Sequence, residues 1–217
     1  MAEQALIIFD IDGTLLQTDR VTVPAVQQTF AAHGLPVPDA ATICSFFGTP
    51  VEDYEAWLAS CCSPETAARI VDETNRRELE LIGEAGELFP GMRDVLTQLA
   101  AQGYALAVCS NGPEPYVNEF LDVHRLRSFF REVRIRGPRH PGKTAMLADI
   151  LRCIPVRPAV MVGDRADDIE AAHENGAFAI AAAYGFGAPE EHRAADARVH
   201  AAADLPQAIE ALLRSSR

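Results

Sequence analysis

The sequence predicts an α/β fold, a mostly parallel sheet with helices on both faces, interrupted by a helical segment. Three observations predict it. From Phe89 onward, short apolar runs alternate with helical stretches of about ten residues, the pattern of strands joined by helical crossovers. The apolar runs are nearly continuous, as strands buried on both faces require, and several end in polar residues. Between Gln17 and Leu88 the texture is helical throughout, with Pro and Gly as punctuation.

The elements follow in order. "ALIIFD" (5–10) reads as a buried strand. "VPAVQQTFAAHGLP" (23–36), "VEDYEAWLASCC" (51–62) and "SPETAARIVDETNRRELELIGEAG" (63–86) carry apolar residues at helical spacing. "PGMRDVLTQLAAQG" (90–103) is a helix stopped by Gly103, and "YALAVCS" (104–110) a short buried strand. "EPYVNEFLDV" (114–123) is helical. "REVRIRG" (131–137) is a weaker strand whose alternating arginines suit an edge. "TAMLADILRC" (144–153) is a helix, "PAVMVGD" (158–164) a strand, and "ADDIEAAHENG" (166–176) a helix ending at Gly176. "AFAIAAA" (177–183) and "RAADARV" (193–199) read as strands, and "LPQAIEALLRS" (205–215) as a final helix.

Composition narrows the function. With 217 residues, the chain suits one large domain or a domain with a smaller insert. A net charge of −12 argues against general nucleic-acid binding, which needs a basic face. Twelve acidic residues against four arginines between Gln17 and Leu88 contribute −8 of that charge, marking the segment as a candidate domain of its own. No apolar run of about 18 residues and no basic-then-apolar leader occurs, so neither membrane insertion nor secretion by such signals is expected. Five cysteines without a CxxC fit a reduced, cytoplasmic setting and no zinc site.

The chemistry gathers at the carboxyl ends of the strands, where such sheets bind ligands. The first strand ends in Asp10 and Asp12, two carboxylates at i, i+2 that repel unless a cation lies between them. The second ends in "CSNG" with Ser110, and the strand at 158–164 leads into "GDRADD" with Asp164 and Asp168. Lys143, the one lysine beside eighteen arginines, lies in the loop before a helix. Each has an ordinary reading alone: a solvated strand end, a turn, an acidic helix start, an exposed lysine. Their convergence on one rim does not. "GPRHPGKT" (137–144) also satisfies the phosphate-loop pattern of nucleotide hydrolases. Pro138 and Pro141, however, lack the N–H groups such a cradle needs.

"DIDGT", "CSNG", Lys143 and "GDRADD", in that order, resemble the four motifs of the haloacid dehalogenase-like hydrolases. "LFPGMRDVLTQLAAQGYALAVCSNG", "MVGDRADDIEAAHENGA" and "YGFGAPEEHRAADARV" further resemble its phosphoglycolate phosphatase-like branch. The resemblance implies a Rossmann-like core, residues 1–16 and 89–217, with a helical cap over 17–88. It implies a Mg²⁺-dependent phosphatase acting on a small, phosphoglycolate-like phosphomonoester through an aspartyl-phosphate on Asp10. Asp12 would be general acid and then base. Ser110, Asn111 and Lys143 would bind the phosphoryl group. Asp10, the Asp12 carbonyl, Asp164 and a supporting Asp168 would hold the metal. A small phosphorylated metabolite is the expected partner, and the chain would be a monomer or homodimer. Phosphomutase and pyrophosphatase are the alternatives on this scaffold. A phosphate-loop hydrolase and a receiver-type signalling module are the alternatives outside it.

The sequence departs from the family at two places. Lys143 is followed by Thr144 where relatives often have proline, and Arg165 stands where a small hydroxyl residue is common. The loop "FFGTPVED" (46–53) resembles the cap loop that dips over the site, with Gly48 permitting close approach. Arg20, Arg76 and Arg77 read as solvated helix residues. Asp167 reads as a helix-surface residue, and His33, His124, His140 and His192 as surface or structural residues.

Overall fold

The computed structural model describes residues 4–215. Six parallel strands form one sheet in the order β3-β2-β1-β4-β5-β6. They are β1 (Leu6–Phe9), β2 (Ala105–Ser110), β3 (Glu132–Ile135), β4 (Ala159–Gly163), β5 (Phe178–Ala182) and β6 (Ala197–Val199). Because side chains alternate along a strand, each strand feeds two cores. Ile7, Phe9, Leu106, Val108, Val160 and Val162 face one side, and Leu6, Ile8, Ala107, Cys109, Ala159 and Met161 the other.

The helices divide between those faces. After the insert described below (α1–α4), α5 (Met92–Ala101), α6 (Glu114–Val123) and α9 (Leu205–Ser215) cover the first. There Leu96, Phe120 and Ile209 are fully buried. α7 (Lys143–Cys153) and α8 (Ala166–Glu174) cover the second through Met146, Ile150 and Ile169. The second face carries mostly alanine on its strands, so α7 and α8 pack close. Neighbouring β1 and β4 thus send their chains to opposite sides, which opens a crevice at their carboxyl ends.

Between β1 and α5 lie four helices: α1 (Asp19–Ala32), α2 (Ala40–Cys44), α3 (Val51–Ser60) and α4 (Pro64–Glu84). They enclose their own apolar cluster of Val26, Phe30, Ile43, Phe47, Leu58 and Ile70. Phe186, from the chain after β5, packs edge-on against Phe47 with ring centroids 4.8 Å apart. The chain enters and leaves this insert side by side, with Gln17 N donating to Glu87 O and Phe89 N to Leu15 O. The last turns of α4 pack into the main core through Ile82. Among the described residues no helix is long and apolar enough to cross a membrane.

Several expectations change. β1 stops at Phe9, and Ile11 O accepts from the amides of Thr14, Leu15 and Leu16, so a turn replaces the strand before Asp12. α1 spans Asp19–Ala32, so it starts four residues before the stretch read as helical and ends before Gly34, with Pro24 inside it. Pro24 falls near the helix start, where one missing N–H costs one early bond. The short α2 was not expected. Its cap is Asp39, whose side chain accepts from Thr42 N. The expected strand over 193–199 shortens to Ala197–Val199, because Glu191–Ala194 forms a 3-10 turn. β3 does lie at the sheet edge.

Phe120→Ala would leave a void where α6 meets the sheet. Urea unfolding should show a loss of about 3–5 kcal/mol.

Candidate active site

Asp10 follows the last residue of β1, and its amide donates to Val162 O of β4. The strand pairing thus fixes its carboxylate in the crevice, where the residue is 1% exposed. Lys143 is not in a loop. It is the first residue of α7 and 3% exposed, because the preceding turn, closed by Gly137 and His140 bonding each other, delivers it inward. Its Nζ lies 3.0 Å from Asp10 Oδ2 and 2.5 Å from Asp168 Oδ1. With its ammonium on these aspartates, the 137–144 stretch does not form a phosphate-loop cradle.

Asp164 ends the β4 strand run, and Phe186 N (2.8 Å) and Gly187 N (3.2 Å) donate to its Oδ2. His192 is buried and structural, its Nε2 2.7 Å from Asp164 O. Asp168, one helical turn on, accepts from Arg165 N through Oδ2 while Oδ1 meets Lys143. Two glycines make this crowding possible. A Cβ on Gly13 would strike the Asp164 carboxylate, and its φ of +73° is a left-handed conformation. A Cβ on Gly163 would strike Asp168.

One ammonium faces several carboxylates, and the pKa values follow. Burial pushes Asp10 up to about 7 against the pull of Lys143, with Asp12 and Asp164 adding to the rise. Burial and the Asp168 charge push Asp164 to about 7 despite the Phe186 amide. Burial raises Asp168 as well. Burial disfavours the Lys143 charge, yet Asp10, Asp168 and Asp167 overcome it and hold the ammonium well above its ordinary range. The cluster is therefore short of positive charge. Oxygens of Asp10, Asp164 and Asp168 lie within 4.8 Å of one another, and Asp164 Oδ1 is buried without a hydrogen-bond partner. A hard divalent cation with oxygen preference fits that donor set.

Asp12 is held differently. Thr18 and Tyr116 hydroxyls both donate to its Oδ1, at 2.8 Å each. Burial raises its pKa although those two bonds oppose the rise. Ser110, fully buried at the end of β2, accepts from Gly112 N and keeps its hydroxyl proton for an acceptor. Asn111 Nδ2 donates to Gly48 O of the insert and to Asp167 Oδ2. The reading of Asp167 as a plain surface residue is therefore corrected. Its side chain is 42% exposed, but one oxygen holds Asn111 and the other lies 3.6 Å from Lys143 Nζ.

A cavity of about 70 Å³ opens beside Asp12, between Asn111 and Tyr116 of the core and Phe47, Tyr54 and Glu78 of the insert. The expected 46–53 loop ends at Pro50, where α3 begins, and its first part reaches the site, with Gly48 at φ +76° bonded to Asn111. Arg165 ties the same loop down, donating to Phe47 O and pairing with Glu191. Sequence reasoning missed Tyr116, Thr18, Tyr54 and Glu78. Tyr116 and Tyr54 sit at helical positions indistinguishable from core aromatics, and Glu78 is one of many acids on α4. Arg20, Arg76 and Arg77 pair with Glu87, Glu80 and Glu73 instead of entering the cavity.

A sequence profile of the haloacid dehalogenase-like hydrolases matches residues 7–182. The chain belongs to the haloacid dehalogenase-like hydrolase family. The phosphoglycolate phosphatase of Synechococcus elongatus is 30% identical over 222 residues, covering 96% of this chain and 98% of its own. A 5′-nucleotidase of Pseudomonas aeruginosa is 28% identical over 207 residues, covering 92% and 91%. The solved structure of a haloacid dehalogenase-like hydrolase from Streptococcus pneumoniae superposes with a TM-score of 0.81 at 26% identity, over 94% of this chain and 97% of that one.

Glu78 gives a pH test that is independent of turnover. Burial pushes it up to about 7 against the Tyr54 and Thr22 hydrogen bonds, with Asp12 and Glu55 adding to the rise. A carboxyl raised in the folded state binds a proton there that the unfolded chain has lost, so stability falls as pH rises from about 4.5 through about 7. Glu78→Gln removes that slope. Its melting temperature should gain on wild type from pH 5 to pH 8, by on the order of 3 kcal/mol of stability at most.

Proposed function

We propose that this protein is a Mg²⁺-dependent phosphomonoesterase that forms an aspartyl-phosphate on Asp10. The observation that carries the reading is the Asp10–Lys143–Asp168 cluster, with Asp164 beside it and a buried Asp12, its carboxyl raised above the ordinary range, at the cavity mouth. The names of its relatives support a small phosphomonoester as substrate.

In this mechanism an Asp10 carboxylate oxygen attacks phosphorus, and the bond to the leaving oxygen breaks. Asp12 Oδ2 gives its proton to that oxygen, while Tyr116 and Thr18 fix Oδ1 and so aim the carboxyl. Lys143 favours the ionised form of Asp10 against its burial and meets charge on the phosphoryl oxygens. The Ser110 hydroxyl and the Asn111 region bind those oxygens too. In the second half, Asp12 takes a proton from water as it attacks phosphorus, and the bond to Asp10 breaks. Asp10, Asp164 and the Asp12 carbonyl, supported by Asp168, would hold Mg²⁺. When bound, it offsets the repulsion among carboxylates and phosphate. Residues 17–88 act as a cap that closes the site through Gly48, Phe47 and Arg165, excluding water from the first half-reaction.

Phosphate release from p-nitrophenyl phosphate tests the reading. Wild type should turn over with Mg²⁺ and stop on chelation, and Asp10→Asn should lose on the order of a thousandfold or more. Turnover that survives in Asp10→Asn would overturn the nucleophile and with it the mechanism.

A further inference from the structure

The cavity beside Asp12 receives whatever the phosphoryl group leaves behind, so its walls describe the leaving group. Among the described residues its lining contains no lysine, arginine or histidine, and its two charged residues, Asp12 and Glu78, are both acidic. Glu78 is 8% exposed and lies on α4, in the insert wall.

Hydrogen-bond roles sharpen the picture. Thr18 and Tyr116 spend their hydroxyl protons on Asp12, Tyr54 spends its proton on Glu78, and Thr49 donates to Phe46 O. Asn75 Nδ2 donates to Glu55. Asn111 Nδ2 is committed to two acceptors, Gly48 O and Asp167, which fixes the orientation of that amide. Its Oδ1 is buried with no partner. The wall thus offers acceptors (Glu78, Asn111 Oδ1), while Thr18, Thr49, Tyr54, Tyr116 and both N–H of Asn111 already donate within the protein and Asn75 gives one of its two N–H to Glu55. A carboxylate or phosphate on the leaving group would find repulsion and no cation.

Resting on the phosphomonoesterase reading, we propose that the substrate's leaving group bears an amine, whose ammonium docks on Glu78 beside the rings of Phe46 and Tyr54. An ammonium has three donors and no acceptor, the complement of this wall. Phe46 and Tyr54 line the cavity with ring centroids 6.4 Å apart, and Trp57 stacks behind Phe46 at 4.6 Å. Rings so placed attract a cation. A neutral polyol would also donate, but it would leave a buried carboxylate without countercharge. The raised pKa of Glu78, caused first by burial, agrees with a carboxyl that lacks such a partner in the free protein.

Three near-isosteric probes test this: O-phosphoethanolamine, ethylene glycol monophosphate and 2-phosphoglycolate, ending in an ammonium, a hydroxyl and a carboxylate. Calorimetric titration of Asp10→Asn with Mg²⁺ should rank them in that order, with about tenfold or more between the first two. Glu78→Gln added to Asp10→Asn should bring the amine and hydroxyl esters to within about twofold of each other. Binding of 2-phosphoglycolate as tight as that of the amine ester would overturn the proposal, and so would an amine preference that survives Glu78→Gln. Where the Gln variant does not fold, the three-ester ranking decides alone. Because the ranking is read from heat, a protein that prefers the amine ester but never hydrolyses p-nitrophenyl phosphate would keep the ammonium site on Glu78 and overturn the proposed reaction.

Discussion

The site depends on a single ammonium held in a nearly dry crevice among carboxylates. Lys143 meets Asp10 and Asp168 at once, and Asp167 stands near enough to add its charge. Burial of each group costs several kcal/mol unless opposite charge is close. The positive charge present is too little for Asp10, Asp164 and Asp168 together, which is why burial can push Asp10 and Asp164 to about 7. A pocket that wants a further cation is the physical result. Arginine would not replace Lys143 easily, because a planar guanidinium is broader than the point charge this gap accepts.

The sheet supplies the precision. Asp10 and Asp164 extend from neighbouring strands β1 and β4, so their separation is set by backbone pairing rather than by flexible side chains. Ser110 ends β2, on the other side of β1. α7 and α8 then bring Lys143 and Asp168 in from their first turns. Crowding around Asp164 and Asp168 is tolerated because Gly13 and Gly163 lack side chains there. The alanine-rich second face lets α7 and α8 approach closely enough for the lysine to reach.

The insert joins the core through Val21 and Ile82, which are buried in the main cluster, and through polar and ring contacts around the site. Asn111 to Gly48, Arg165 to Phe47, the Phe47–Phe186 ring contact, and an ion pair between Arg136 and Glu52 join the two sides. Arg165, a departure from the family pattern, has a role here: it carries a core charge across to the backbone of the insert loop while Glu191 balances it.

Much of the candidate site was legible in the chain. Asp10, Asp12, Ser110, Lys143, Asp164 and Asp168 stand next to strand ends or helix starts, and local pattern marks those boundaries. The alternation of strands and helices and the edge position of β3 were also local properties. What tertiary structure decided is everything that depends on which face meets which. Tyr116 looked like any apolar residue of an amphipathic helix until α6 placed its hydroxyl on Asp12. Glu78 was one acid among many until α4 turned it away from water, and Asp167 was a surface residue until Asn111 reached it. Lys143 read as a loop residue until its turn drove it inward. Residue type and spacing are written in sequence, whereas burial and charge balance arise only when distant segments pack together.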